Sequence, residues 1–450
     1  MKVFKERLSK TVLALVMGGF AVQGTAGQEV HRFSATQAVA YAMKNSGQVK
    51  NNLTDIKIQQ QQNREITAAA YPQITGNVNL TDYVNIPTTL IPGEFFGQPA
   101  GTYLPVTFGT RYNTTYGLNL EQLLFDGQVF VGLQARTASI EYAQHNVEIT
   151  QEQIKANVYK IYYQMVAGKI QIQTIDVNIA RNEKQLHDTR EMFKNGFSEQ
   201  LDVDKISVTL ANLHSQKNAV VNRIKSGYVG LKYLMGMPVK EELVLTDTVT
   251  EQMLKANILD TDTVRYQDRK EYQLYQTLEK LNEFNIKRYK MSYIPTLSLT
   301  GAYSRNAQRN TFDVFKSHEP WFTTTYIGFK INVPVFDGFG RDSRVKQARL
   351  NLEKTRVILE DLRNRIETQV DTSRLGLESA LLTLDEQTGN MQLAEKVYDQ
   401  TKKKYEQGLG STLEITSADS ELKTAQNNYF SALYDAIIAR IDYLKAIGKL

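Results

Sequence analysis

No cysteine occurs among the 450 residues, which excludes a disulfide framework and amino-terminal lipoprotein acylation. Past the first 26 or so residues, no run approaches the roughly 18 apolar residues that a membrane-spanning helix needs. Histidine is sparse and scattered: His31, His145, His187, His214 and His318 show no ligand spacing. There is also no glycine-rich phosphate loop and no Ser/His/Asp pattern. These absences leave no catalytic residue, no metal ligand and no cofactor-binding residue to expect, and an enzyme is not the reading.

Net charge is small once the amino terminus is set aside. "MKVFKERLSK" is a basic stretch, "TVLALVMGGFAV" an apolar one, and "GTAG" supplies small residues for cleavage after Ala26 or Gly27. Residues 1–26 therefore read as a secretory signal peptide, too short in its apolar core to stay as an anchor. It holds Lys2, Lys5, Arg7 and Lys10 against Glu6, and without it the formal charge drops from +5 to +2. The mature chain gives no reason to expect nucleic acid as a partner.

What the sequence does have is repetition. "NLEQLLFDGQVF" and "INVPVFDGFGRD" carry the same Phe-Asp-Gly: Phe125, Asp126 and Gly127, then Phe336, Asp337 and Gly338. "FKNGFSEQLDV" (193–203) is echoed by "YEQGLGSTLEI" (405–415), with Gly196 opposite Gly408, and "LKYLMG" by "DYLKAIG", with Gly236 opposite Gly448. The glycine pairs share an offset of 212 residues, which points to an internal duplication. Two copies do not make a solenoid.

The helical stretches repeat every three and a half residues. Ile206, Leu210, Leu213, Val220, Ile224, Leu231 and Leu234 form a heptad ladder. Its second copy runs through Ala418, Leu422, Ala425, Ala432, Ala436, Tyr443 and Ala446. An earlier ladder holds Ile154, Val158, Ile161, Met165, Ile172, Ile175, Ile179, Leu186 and Phe193. Such a period implies helices coiled around one another.

After Pro72 and Pro295, and before each Phe-Asp-Gly, the period drops to two. Ile74, Val78, Leu80 and Val84 alternate with polar residues, as do Tyr112, Tyr116, Leu118 and Leu120. The same holds for Leu297 and Leu299, and for Ile327, Phe329, Ile331 and Val333. Four two-faced strands in two hairpins are expected, joined by long turn-rich loops. Four strands cannot close a barrel, and an open sheet would leave two edges bare. Three copies of the chain would supply twelve strands with a lipid-facing apolar side and a polar lumen.

The expected layout follows. Residues 27–237 form a first structural repeat, with an N-terminal helix (Ser34–Ala70, opened by a Ser34/Gln37 capping box), a strand hairpin at about 72–125 and a helical hairpin at about 127–237. Residues 238–262 form an irregular waist. Residues 263–450 form a second repeat: a helix, a strand hairpin at about 295–336 and a helical hairpin at about 340–448. In the second copy, the N-terminal helix is expected to complete the return path beside the long helix. Each Phe-Asp-Gly is expected where the chain leaves the membrane, glycine allowing the turn, aspartate capping the helix and phenylalanine suiting the interface.

With both hairpins, both Phe-Asp-Gly exits and "YEQGLGSTLEITSADSELKTAQNNYFSALYDAIIARIDYLKAIG" in place, the chain resembles an outer-membrane efflux protein of the TolC family. The resemblance covers nearly the whole mature chain. It implies a mainly α fold with a β-barrel part: a homotrimer whose twelve-stranded barrel crosses the outer membrane and whose coiled-coil hairpins form a periplasmic tunnel. It implies a periplasmic adaptor, an inner-membrane transporter and outer-membrane lipid as partners, and the role of exit duct for efflux or type I secretion. It also places the tunnel entrance at the hairpin tips, near Gly196 and Gly408, where a tyrosine bonds an aspartate and acidic residues narrow the passage. Those positions fall on Tyr405, Asp202 and Glu414. Here Ser417 stands where some members carry a second acidic ring, and Gly410 where they carry a tip arginine. Two rival readings are an ungated porin, which would lack the long helices, and a periplasmic spacer, which would lack the alternating strands.

Overall fold

The computed structural model describes residues 30–249, 251–255, 265–313, 316 and 319–450. The signal peptide, part of the expected waist and His318 lie outside the described residues. In chain order the elements are β1 (Val30–Phe33), α1 (Ala35–Asn45), α2 (Gly47–Ala68), β2 (Gln73–Asp82), β3 (Thr88–Pro92), β4 (Tyr103–Thr107), β5 (Tyr112–Phe125), α3 (Gly127–Gln134) and α4 (Arg136–Lys194). Then follow α5 (Gln200–Met235), β6 (Glu242–Leu245), α6 (Glu251–Lys255), α7 (Lys270–Met291), β7 (Thr296–Arg309), β8 (Phe322–Asn332), α8 (Gly340–Glu406) and α9 (Thr412–Ala446).

The heptad ladders form the helix seams. Of the α4 ladder, Ile154, Val158, Met165, Ile175, Ile179 and Leu186 are buried, and only terminal Phe193 is exposed. Ile175 and Ile179 cluster with Leu213 and Val220 of α5. Tyr398 of α8 clusters with Ile415, Ala418 and Leu422 of α9. At 1.5 Å per residue, α4 with 59 residues is about 90 Å long and α8 with 67 is about 100 Å. With 36 and 35 residues, α5 and α9 cover about half of that.

The other half of each long helix packs against α2 and α7. Asn63 of α2 donates to the Arg136 carbonyl of α4 at 3.1 Å, and Lys280 of α7 reaches Glu141 of α4 at 3.8 Å. Asn282 of α7 donates to Thr355 of α8 at 2.9 Å, and Arg356 of α8 pairs with Glu279 at 2.7 Å. Within the protomer the N-terminal helix thus lies along α4, not along α8 as expected. The sheet explains why: α2 feeds β2, whose neighbour β5 feeds α4, whereas α7 feeds β7, which sits between β5 and β8.

The sheet is an antiparallel meander in the order β2-β5-β7-β8. Its register puts Ile74, Val78 and Leu80 on the same face as Leu120, Leu118 and Tyr116, then Leu297, Leu299 and Tyr303, then Ile331, Phe329 and Ile327. Val78 is 80% exposed, and Ile327 and Phe329 are each 73% exposed, which is how a lipid-facing side looks in a single protomer. The opposite face carries Asn77, Asn119, Thr115 and Asn306. Asn119 donates to Asn77 at 3.1 Å and Thr115 to Asn306 at 2.7 Å. Tyr326 and Phe322 are the aromatic exceptions on that side.

Two pieces of structure were not anticipated. The long loop after β2 holds the small β3/β4 hairpin, and the waist is tied by β1 and β6, paired in parallel from Val30–Glu242 to Phe33–Leu245. Fully buried Tyr162 joins these last two: its hydroxyl donates to the Phe33 carbonyl at 2.8 Å and accepts from the amides of Thr246 and Asp247. Around it pack Ala35, Ala38 and Ala42 of α1 with Leu231 and Met235 of α5. The Ser34/Gln37 capping box is present.

The two Phe-Asp-Gly exits differ. Asp126 caps α3, accepting from the Gln128 amide at 2.7 Å. Gly127 is already helical there, and a Cβ on it would lie 2.8 Å from Met291 Cβ. At the second exit Gly338 takes φ +64 and Phe339 φ +66, and Asp337 accepts from the Arg341 amide at 2.8 Å. Aspartate holds the helix start in both, but glycine serves close packing in one and a left-handed turn in the other.

The paired glycines Gly236 and Gly448 both end helices at φ +71, yet a Cβ on Gly236 would sit 2.2 Å from the Asn45 carbonyl oxygen, while on Gly448 it meets nothing nearer than 3.9 Å. Gly448→Ala should cost about 1–2 kcal/mol from backbone strain alone, and Gly236→Ala about 3 kcal/mol or more with the overlap added. Thermal unfolding followed by circular dichroism distinguishes them. Equal losses would show that the waist relaxes freely around Asn45.

Candidate functional site

The two hairpin tips are built alike. At the first, Gly196 adopts φ +80, its amide bonds the Phe193 carbonyl, and the Phe197 amide bonds the Met192 carbonyl at 2.9 Å. At the second, Gly408 adopts φ +74, its amide bonds the Tyr405 carbonyl, and the Leu409 amide bonds the Lys404 carbonyl at 2.9 Å. Both are glycine-terminated helix ends in which the left-handed residue closes the last carbonyls. Each then exposes apolar side chains: Phe197 (82%) and Leu201 on one tip, Leu409 and Leu413 on the other.

Asp202 and Tyr405 are not bonded to each other. The Asp202 carboxylate accepts from Ser198 Oγ at 3.1 Å and from the Glu199 amide at 3.4 Å, closing the capping box that starts α5. Tyr405 points its hydroxyl at Met192 Sδ, 3.7 Å away. The phenol–carboxylate bond implied by resemblance is thus replaced by a local cap and a weak thioether contact. The physical reason is competition: a carboxylate in the first turn is drawn to its own unpaired amides. Glu414 is exposed in the first turn of α9, where its amide donates to the capping Ser411 hydroxyl at 3.2 Å.

Between α4 and α8, just above the tips, lies an open cleft of about 540 Å³ lined by Arg181, Lys184, Asp188, Met192, Tyr398 and Tyr405, among others. The Arg181 guanidinium stacks 4.5 Å over the buried Tyr398 ring. Burial pushes the Tyr398 hydroxyl up to about 12, so it stays protonated at any physiological pH.

Toward the tips, the joint between the two hairpins is polar. Asn178 donates to Gln426 at 2.6 Å, and Lys423 reaches Asn182 Oδ1 at 3.4 Å while also pairing with Asp419. Asn182 is 1% exposed and Asp419 4%. Desolvation lowers the Lys423 pKa, and Asp419 opposes that by favouring the charged form. Asn178 Oδ1, Asp419 Oδ1, Gln185 Nε2 and Thr189 Oγ1 lie along the same seam without a protein partner. Sequence reasoning missed this set. Its signal was present: Asn182 and Thr189 fill gaps in the α4 ladder where an apolar residue belongs. Among the described residues, no three His, Asp or Glu side chains converge as a metal site would require.

A sheet with one exposed apolar face set on long coiled-coil hairpins is an architecture that solved structures match. Residues 284–449 match the family model described as outer membrane efflux protein. The chain is 21% identical over its full length to the outer membrane efflux protein BepC of Brucella suis, covering 92% of that protein. It is 21% identical to the outer membrane protein TolC of Vibrio cholerae, across 74% of this chain and 76% of that one. Among solved structures, CusC aligns with a TM-score of 0.73 at 15% identity over 95% of both chains. The Campylobacter jejuni CmeC outer membrane channel aligns at 0.72 with 15% identity, over 92% of this chain and 85% of that one. Over most of its length the chain is thus similar to outer membrane efflux proteins, and its C-terminal part matches their family model.

The seam and the tyrosine make different demands. Asp419→Asn leaves Lys423 buried without its charge partner and should cost about 2–4 kcal/mol, freeing the lower part of α9 from α4. Tyr405→Phe removes only a long contact to sulfur and should cost less than about 0.5 kcal/mol. Hydrogen exchange over residues 412–426 reads the difference. Faster exchange in Tyr405→Phe than in Asp419→Asn would reverse the assignment.

Proposed function

We propose that the protein is the exit duct of an efflux pump, seated in the outer membrane and reaching into the periplasm. The carrying observation is a four-stranded sheet with an exposed apolar face and two bare edges at one end of helical pairs about 100 Å long. Three copies pair β8 of one with β2 of the next, antiparallel throughout, and close a twelve-stranded barrel. The helices carry the conduit onward to the tips. There a periplasmic adaptor meets the exposed Phe197, Leu201, Leu409 and Leu413, and an inner-membrane transporter delivers cargo. The protein acts as a passage and not as a catalyst.

In this reading the Phe-Asp-Gly junctions mark the inner face of the membrane, and the tips around Gly196 and Gly408 form the entrance. Asp202 shapes that entrance by fixing the start of α5, Tyr405 lines the cleft beside it, and Glu414 offers the exposed charge. An ungated porin has no use for the long helices, and a spacer has none for a sheet with a lipid-facing side.

The detergent-extracted assembly should have the mass of three protomers by light scattering; a stable water-soluble monomer would end the proposal. Because the chain has no cysteine, Ser198→Cys and Ser411→Cys provide clean attachment points, and both should crosslink to the adaptor in cells. Crosslinks arising only from cysteines placed in the β3/β4 loop would put the docking end on the wrong side. In planar bilayers at low salt, Glu414→Gln should lower cation preference without changing the width of the passage. An unchanged reversal potential would remove Glu414 from the ion path.

A further inference from the structure

The outward edge of the apolar face is oblique, as tilted strands require. Along that face the continuous apolar run ends at Leu80 on β2, Tyr116 on β5, Tyr303 on β7 and Ile327 on β8, with Tyr112 of β5 and Ala307 of β7 farther out beyond a polar residue. The next residues outward on the same face are Asp82, Thr114, Arg305 and Thr325. Arg305 is thus the first polar residue of its strand on that face, two residues (about 7 Å) beyond Tyr303. That is the depth of lipid headgroups.

Three arginines stand at this end of the sheet, and two are neutralised. Arg111 pairs with Asp82 at 2.9 Å, and Arg309 lies between Asp313 at 3.3 Å and Glu319 at 3.1 Å. Arg305 has no carboxylate within 4.0 Å among the described residues. The neighbouring residues outside the description are Val314, Phe315, Ser317 and His318, none of them acidic. Aromatic groups hold it in place instead. Trp321 sits 6.0 Å from the guanidinium carbon, and Nη1 donates to the Tyr116 hydroxyl at 3.4 Å. Trp321 and Tyr116 pack edge to face at 5.0 Å. The Nε–H is buried and unpartnered. A fixed cation on the lipid-facing side needs a counter-charge, and at headgroup depth the available one is phosphate.

We propose that Arg305, framed by Tyr116 and Trp321, binds the phosphate of a phosphorylated lipid in the outer leaflet, one site per protomer. The proposal rests on the reading of the sheet as membrane-inserted. The site is a lipid clamp at the rim of the barrel, remote from the entrance at the tips. It orients each protomer's outer edge against the leaflet and leaves conduction alone.

The chain's single tryptophan is part of the site, so its emission reports occupancy directly. Titrating diphosphoryl lipid A into the detergent-extracted assembly should shift Trp321 emission with saturation. Arg305→Gln should weaken that response roughly tenfold, the cost of one charge-assisted hydrogen bond, while Arg305→Lys keeps part of it. Arg111→Gln, whose parent residue is already paired, should bind like the parent. Lipid A stripped of phosphate, or inorganic phosphate alone at the same concentration, should give no saturable shift. Equal affinity for parent and Arg305→Gln, equal binding of dephosphorylated lipid A, or saturation by inorganic phosphate would each overturn the proposal. Conductance of the same preparations in planar bilayers separates the two readings. Variants that conduct normally but bind like the parent sink the clamp and leave the duct standing, whereas a parent that neither inserts nor conducts sinks the duct.

Discussion

The structure depends on a sheet that is unfinished within one chain. β2 and β8 each present a row of unpaired backbone groups, and one face of all four strands is apolar and exposed. Neither condition is tolerable in water, and under the proposed function lipid on the apolar side and further strands at the edges would resolve both. The constraint propagates into the helices. Their packing order, α2 on α4, α4 on α7 and α7 on α8, repeats the strand order β2-β5-β7-β8. The helical layer is therefore the sheet continued element by element. Strands lie about 4.8 Å apart and helices 8–10 Å, so every junction must spread the chain. The two Phe-Asp-Gly exits absorb that change differently. Gly127 lets α3 press against Met291 at the end of α7, while Gly338 and Phe339 swing α8 outward through two left-handed residues.

Elements governed by local periodicity were legible in the sequence. The heptad ladders mark the buried seams of α4, α5 and α9, the period-two runs mark the four strands, and the glycines separated by 212 residues share their left-handed backbone. Features set by distant partners were not legible. The parallel pairing of β1 with β6 joins residues more than 200 positions apart, and four-residue strands leave no periodic trace. The placement of α2 beside α4 follows from strand order, which alternation alone does not determine. At the tips, glycine positions could be read because a left-handed turn demands them. The partner of Asp202 could not, because a carboxylate at that position has a local amide to satisfy as well as a distant phenol.

The distribution of polar and apolar contacts divides the helical part into two bodies. Inside each hairpin the seam stays apolar down toward the tip: Leu186 with Val203 and Ile206 in one, Tyr398 with Ile415 and Leu422 in the other. Between the hairpins it changes character along its length. Near the waist, Ala156 and Ala167 of α4 join Phe430, Leu433, Ala436 and Ile437 of α9 in one apolar cluster. Nearer the tips the partners become Asn178 with Gln426, then Asn182 with Lys423 and Asp419, and several of their polar atoms have no protein partner. Separating apolar surfaces exposes them to water at full cost, whereas separating hydrogen-bonded groups exchanges one partner for another. The upper contact is therefore the costlier of the two to separate in water. That asymmetry is written in the side chains that face from one hairpin to the other.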